Sequence, residues 1–125
     1  MEKIYNKLVR DNIPDIIRDD NRTPVTRNLT DAEYEKELYR KLVEECNEVY
    51  EAEDNSETCK ELADVLEAIR AIANVKGKTL EDIIKLADDK RNKRGGFSKK
   101  VYLEKIYKER RFWKINWIQK LLFNI

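Results

Sequence analysis

Glu44-Glu45-Cys46-Asn47-Glu48, followed by Glu61-Leu62-Ala63-Asp64, is the stretch on which the reading of this chain turns. Glu45 and Glu48 are three residues apart, as are Glu61 and Asp64, so each pair shares one face of a helix. Between them lies the polar segment Glu53-Asp54-Asn55-Ser56-Glu57. An antiparallel hairpin turning near residues 54 and 55 sets Glu48 opposite Glu61 and Glu45 opposite Asp64, so four carboxylates converge. Their repulsion at neutral pH calls for a cation, and a donor set made only of anionic oxygens suits a hard divalent ion, Mg2+ or Mn2+. The plainer alternative is four acids on a solvated face. Against it stand the phase of Glu45, which falls within the arc of Leu38 and Leu42, and the small residues Ala68 and Ala71 beside Glu61 and Asp64, which let two helices approach closely.

Working outward, Thr30-Asp31-Ala32-Glu33 is a capping-box pattern and predicts a helix from there to about Ala52, with Leu38, Leu42, Cys46 and Val49 as its apolar stripe. A second helix is predicted from Ser56 to Lys76, stopped by Gly77, with Leu62, Val65, Leu66, Ile69, Ile72 and Ala73 facing inward. Thr79 caps a third, whose stripe of Leu80, Ile83, Ile84 and Ala87 continues into Lys90 and Arg94 before Gly95-Gly96. At the start, Pro14 can open a short helix through Ile17, because proline is tolerated in a first turn. Val25 to Leu29 and Phe97 to Leu103 read as short extended pieces, and residues 104–123 as a final helix. Short loops between long amphipathic helices predict an all-α antiparallel bundle. So few helices leave their inner faces incompletely covered, which predicts a homodimer or higher homo-oligomer.

Composition narrows the chemistry. At 125 residues the chain is expected to form a single domain, 1–125, and with 41% charged residues but only three glycines and two prolines it favours helices with solvated outer faces. No segment approaches the roughly 18 apolar residues of a membrane helix, and Met1-Glu2-Lys3 does not open a signal peptide, so the cytoplasm is the expected compartment and membrane insertion is not expected. Histidine is absent, which excludes Ser-His and Cys-His nucleophiles and the usual zinc sites. Cys46 and Cys59 form no CxxC and are expected to be reduced, packed thiols. The net charge of +1 hides an asymmetry: acids crowd residues 31–67, whereas Lys90 to Lys114 carries eleven Lys or Arg against two acids. That basic third suits either a nucleic-acid surface or the basic wall of a site for an anionic ligand.

In order, these acids reproduce an EExxE and ExxD signature that resembles the all-α nucleoside triphosphate pyrophosphohydrolases, the MazG-like superfamily that includes phosphoribosyl-ATP pyrophosphohydrolase. The opening Tyr5-Asn6-Lys7-Leu8-Val9-Arg10-Asp11-Asn12-Ile13-Pro14 and the closing Arg94-Gly95-Gly96-Phe97 are similar to one MazG-like subgroup. The likeness covers about residues 4–103, and 104–125 form a C-terminal extension beyond it. The resemblance implies that Glu45, Glu48, Glu61 and Asp64 bind Mg2+, with Mn2+ possible, and that Glu44 supports them or orients water. It also implies metal-assisted cleavage of a nucleoside triphosphate between the α and β phosphates, giving the monophosphate and pyrophosphate. Glu67, one turn past Asp64, is a candidate further ligand or base.

The same resemblance assigns phosphate binding to a KxxxR pattern, here Lys90 to Arg94. Lys7 and Arg10, with Tyr5, are candidates for closing over the nucleotide from the N-terminal segment. One departure is Ala71, which stands where such proteins often carry an asparagine. In the tail, Trp113, Trp117 and Leu121 make an apolar face rimmed by cations, suited to core or subunit packing more than to a membrane surface. Two rivals remain at this point: phosphoribosyl-ATP hydrolysis by the same bond cleavage, and a non-enzymatic helical module binding nucleic acid or protein through its basic C-terminal third.

Overall fold

The computed structural model describes residues 1–107, and among them it holds four helices and no strand: α1 (Ile13–Asp19), α2 (Asp31–Glu51), α3 (Asn55–Val75) and α4 (Leu80–Arg94). The fold is all-α. The chain divides into two compact units, Met1–Lys90 and Arg91–Ile125. The helix expected over residues 104–123 falls mostly outside the described residues, as does the Trp-rich face.

α2, α3 and α4 begin where a side chain satisfies free backbone groups at the helix start. Thr30 accepts a hydrogen bond from the backbone N–H of Glu33 at 3.2 Å, and the Glu33 carboxylate accepts from that of Thr30 at 3.1 Å, so α2 starts on a closed capping box. Arg27 pairs with that carboxylate. Its hydrogen bond, with the Thr30 N–H second, pulls the Glu33 pKa down to about 2. Asp54 starts α3 by accepting from the Glu57 N–H at 2.8 Å. At the far end Gly77 takes φ 73°, a left-handed conformation that glycine adopts without strain, while the Lys78 N–H reaches the Ala73 carbonyl at 2.9 Å. Thr79 and Asp82 cap each other reciprocally at the start of α4.

α2 and α3 form the hairpin that the acidic pairs predict, joined through Ala52–Asp54. Lys76 at the end of α3 pairs with Glu35 near the start of α2, which ties the open ends together. Among the described residues, Leu38, Ala68, Ala73 and Leu80 are the buried apolar ones. Alanine at 68 and 73 leaves no long side chain to hold the backbones apart.

The structure corrects several packing expectations. Cys46 and Cys59 are free, as expected, but exposed and not packed. Leu62, 50% exposed, and Leu66 do not face a core, nor do Ile84 and Ala87 on α4. A two-helix hairpin buries one face of each partner, and Leu62 and Leu66 of the wide apolar arc of α3 stay uncovered among the described residues. Val25 to Leu29 and Phe97 to Leu103 are irregular, not extended strands, the second opening with a turn that closes from the Lys100 N–H to the Phe97 carbonyl at 3.0 Å. Among the described residues no helix is long and apolar enough to cross a membrane.

Candidate metal centre and active site

Near the closed end of the hairpin, Glu45 of α2 meets Glu61 and Asp64 of α3, and each offers a carboxylate oxygen within 4.8 Å of the other two. Helical phase explains the meeting. Glu45 points toward the partner helix, its side chain 13% exposed, and Glu61 and Asp64 stand one turn apart on the face opposite. Glu48 is exposed and lies outside this group, although its charge acts on Glu61. Three hard anionic oxygens at this spacing fit a divalent cation such as Mg2+ or Mn2+.

Cations from two sources flank the carboxylates. From the N-terminal segment, Arg10 Nη2 donates to Asp64 Oδ1 at 2.6 Å and Lys7 Nζ donates to Glu44 Oε1 at 3.0 Å. From α2 itself, Lys41 lies 3.4 Å from both Glu44 and Glu45. The Arg10–Asp64 pair is half-exposed, its side chains 54% and 39% accessible, so it stabilises the fold by about 1 kcal/mol at most. Glu67 pairs with Arg70 and lines the same region.

The electrostatics divide the acids. Burial alone would push Glu44 up, but the hydrogen bond from Lys7 and the charges of Lys41 and Lys7 outweigh it and hold Glu44 below the usual carboxylate range. Lys7 is raised in return, chiefly by its hydrogen bond to Glu44 and that group's charge, with smaller contributions from Glu45 and Glu48. Glu61 moves the other way: desolvation, then the charges of Asp64, Glu48 and Glu45, hold its pKa above the ordinary 4.5. Ionised Glu61 is therefore disfavoured in the metal-free fold at neutral pH, and that cost disappears as pH falls through its raised pKa and below the unfolded value. Glu61→Gln is expected to raise the melting temperature of the metal-free protein at pH 7, with the gain shrinking toward pH 4, and to weaken Mn2+ binding. Thermal melts at the two pH values check this, and a variant no more stable than the parent at pH 7 contradicts it.

A cleft of about 460 Å3 runs from this cluster along the α2–α3 groove, beneath the N-terminal segment and α1. Arg10, Lys41, Glu45 and Asp64 lie at one end, and Ile13, Ile16, Tyr34, Leu38, Ala68 and Ala71 give it apolar walls. A charged end and an apolar body suit a small ligand that is polar at one end and apolar at the other.

Residues 33–96, just over half of the chain, match the model of the MazG nucleotide pyrophosphohydrolase domain. The chain belongs to the MazG family. The domain that it matches is named for nucleotide pyrophosphohydrolases. An uncharacterised protein of Mycolicibacterium smegmatis is 51% identical over 47 residues, 38% of this chain and 48% of that one. The chain therefore spans about half the length of that relative. No solved structure matches.

Within this MazG-family fold six of the site residues singled out from sequence meet in the unit Met1–Lys90. Glu44, Glu45, Glu61, Asp64, Lys7 and Arg10 come together. Lys90 is exposed on the last turns of α4 and is not among the residues lining the cleft. Arg94 ends α4, exposed, in the second unit. Sequence reasoning passed over Lys41, although its spacing of three and four from Glu44 and Glu45 was the signal that would have found it. It also passed over Tyr34 and Ile16 as cleft walls. Nothing in helical periodicity says what a preceding loop lays across a groove.

Proposed function

We propose that this chain is a Mg2+-dependent nucleoside triphosphate pyrophosphohydrolase, able to use Mn2+, that cleaves between the α and β phosphates to release a nucleoside monophosphate and pyrophosphate. The observation that carries the reading is the meeting of Glu45, Glu61 and Asp64 oxygens within 4.8 Å, with Glu45 and Asp64 lining the cleft. Glu45, Glu61 and Asp64 would hold the ion, with Glu48 completing the set by a change of side-chain rotamer, and Glu44 would orient the attacking water. A divalent cation bound there supplies charge to offset the phosphate oxygens and lowers the pKa of water. Lys7 and Arg10, already at the carboxylates, are placed to take phosphate oxygens, and Lys90 and Arg94 are the second phosphate-binding pair in this reading. The cleft takes the nucleoside, with Tyr34 available for a ring and Ala71 offering no polar group to it. The apolar surface left on α3 supports assembly as a homodimer or higher homo-oligomer. The cytoplasm is the compartment in which this reading places the enzyme.

The test is product analysis by phosphorus NMR, with canonical and modified nucleoside triphosphates and phosphoribosyl-ATP, in Mg2+ and in excess chelator. Monophosphate and pyrophosphate, formed only with metal, are the expected products. Release of single phosphate, leaving a diphosphate, overturns the cleavage position. Salt-sensitive nucleic-acid binding with no turnover would establish the binding-module reading instead.

A further inference from the structure

The N-terminal segment is held to the hairpin by unusual means. Among the described residues no backbone hydrogen bond ties residues 1–9 to the helices, and the one from Arg10 is its carbonyl accepting locally from the Ile13 N–H at 3.1 Å. What fastens the segment is its place in the wall of the cleft, where Leu8 and Val9 lie, and two ion pairs, Lys7–Glu44 and Arg10–Asp64, whose partners lie 37 and 54 residues away in the chain. Both acids belong to the site of the proposed chemistry, and Asp64 is one of the three that fit a cation. Its Oδ1 carries a guanidinium at 2.6 Å.

We propose that Arg10 is a built-in counter-ion for Asp64, displaced when a divalent cation enters the carboxylate cluster and thereby freed to bind the phosphates of the incoming nucleotide. The inference rests on the metal-dependent reading above and adds an order to it: metal first, with the segment released, then nucleotide, with the segment recaptured. The physical cause is competition for one carboxylate. A cation ligated by Asp64 would stand within about 5 Å of a guanidinium hydrogen-bonded to the same side chain, where a single and a double positive charge repel. The half-exposed pair is the weaker contender. Once the cation has offset two of the three negative charges of Glu45, Glu61 and Asp64, the hold on the guanidinium is weaker, whereas the triphosphate brings several anionic oxygens that a planar fork of donors fits. Lys7 is held by Glu44, outside the ion-binding trio, and stays in place as the hinge side of the segment.

Two measurements test this. Titration of Mn2+ without nucleotide, followed by calorimetry or by the electron spin resonance of free Mn2+, is expected to give about 5- to 10-fold tighter binding for Arg10→Ala than for the parent. Lys7→Ala should change it by less than about 2-fold, and Arg10→Ala should raise the KM for nucleotide. The opposite signs of the two effects of Arg10→Ala are the signature, since a merely structural role would weaken both. In the unmutated chain, trypsin cleavage after Arg10 is expected to speed up when Mn2+ is added and to slow again when a non-hydrolysable nucleotide follows; this arm stands if the variant fails to fold. Equal or weaker Mn2+ binding by folded Arg10→Ala overturns the proposal, as does cleavage that Mn2+ leaves unchanged. Failure of the unmutated chain to bind Mn2+ at all would overturn the metal-dependent reading itself, a result distinguishable from the other two.

Discussion

Glu45→Gln is expected to lower kcat/KM for nucleotide by about 1,000-fold or more while leaving the fold intact, because an anionic oxygen that stabilises charge in the transition state is worth roughly 4 kcal/mol when removed. Glu45 is the best position for the test. It is the most buried of the carboxylates whose pairs are measured, 13% exposed, and glutamine keeps its shape. Lys41, its ion-pair partner, retains Glu44 at 3.4 Å, so the substitution does not strand that charge. Asp64→Asn should be as damaging to turnover but is a less clean probe, since it also releases Arg10. Melting temperature and Mn2+ affinity should be measured beside the rate. A stable variant with weak metal binding and no turnover fits the site, whereas unchanged turnover removes Glu45 from it.

The largest expected effect on stability is at Leu38, 3% exposed, the only large side chain of α2 that is buried and a wall of the cleft. Leu38→Ala should cost about 2–4 kcal/mol, the lost transfer energy plus the cavity left between α2 and α3. Urea unfolding with an unchanged slope would read it directly. Leu62→Ala is the control: half-exposed in the chain by itself, it should cost under about 1 kcal/mol in a monomer. A cost as large as that of Leu38→Ala would mean that another copy of the chain covers the α3 face, and the cost would then depend on protein concentration.

Much of this could be read from the residues alone. Thr30 with Glu33, Gly77 and Thr79 marked the helix ends to within a residue, because capping is local chemistry settled by side chains three positions apart. The register of the hairpin was equally legible. With the turn placed near Asp54, the opposite number of every residue follows from equal rise on the two helices, and Glu45 meets Asp64. The inward stripe of α3 was over-read. Leu62 and Leu66 have the right phase, but phase says only that a face is apolar, not that anything lies against it.

What the sequence by itself determined, then, is the four helices of the described residues, the caps of α2 and α4 and the hairpin, all of which depend on spacing within a few turns of helix. Only the tertiary structure decided which acids lie within reach of one ion, leaving Glu48 to one side, and which cations answer them. Lys7 and Arg10 could be named as cations near a nucleotide, but not as the partners of Glu44 and Asp64. Those contacts join an irregular segment to helices far along the chain, and no periodicity constrains where such a segment comes to rest. Its position is set by where unpaired carboxylates and an apolar groove already stand, and these exist only once α2 and α3 have packed.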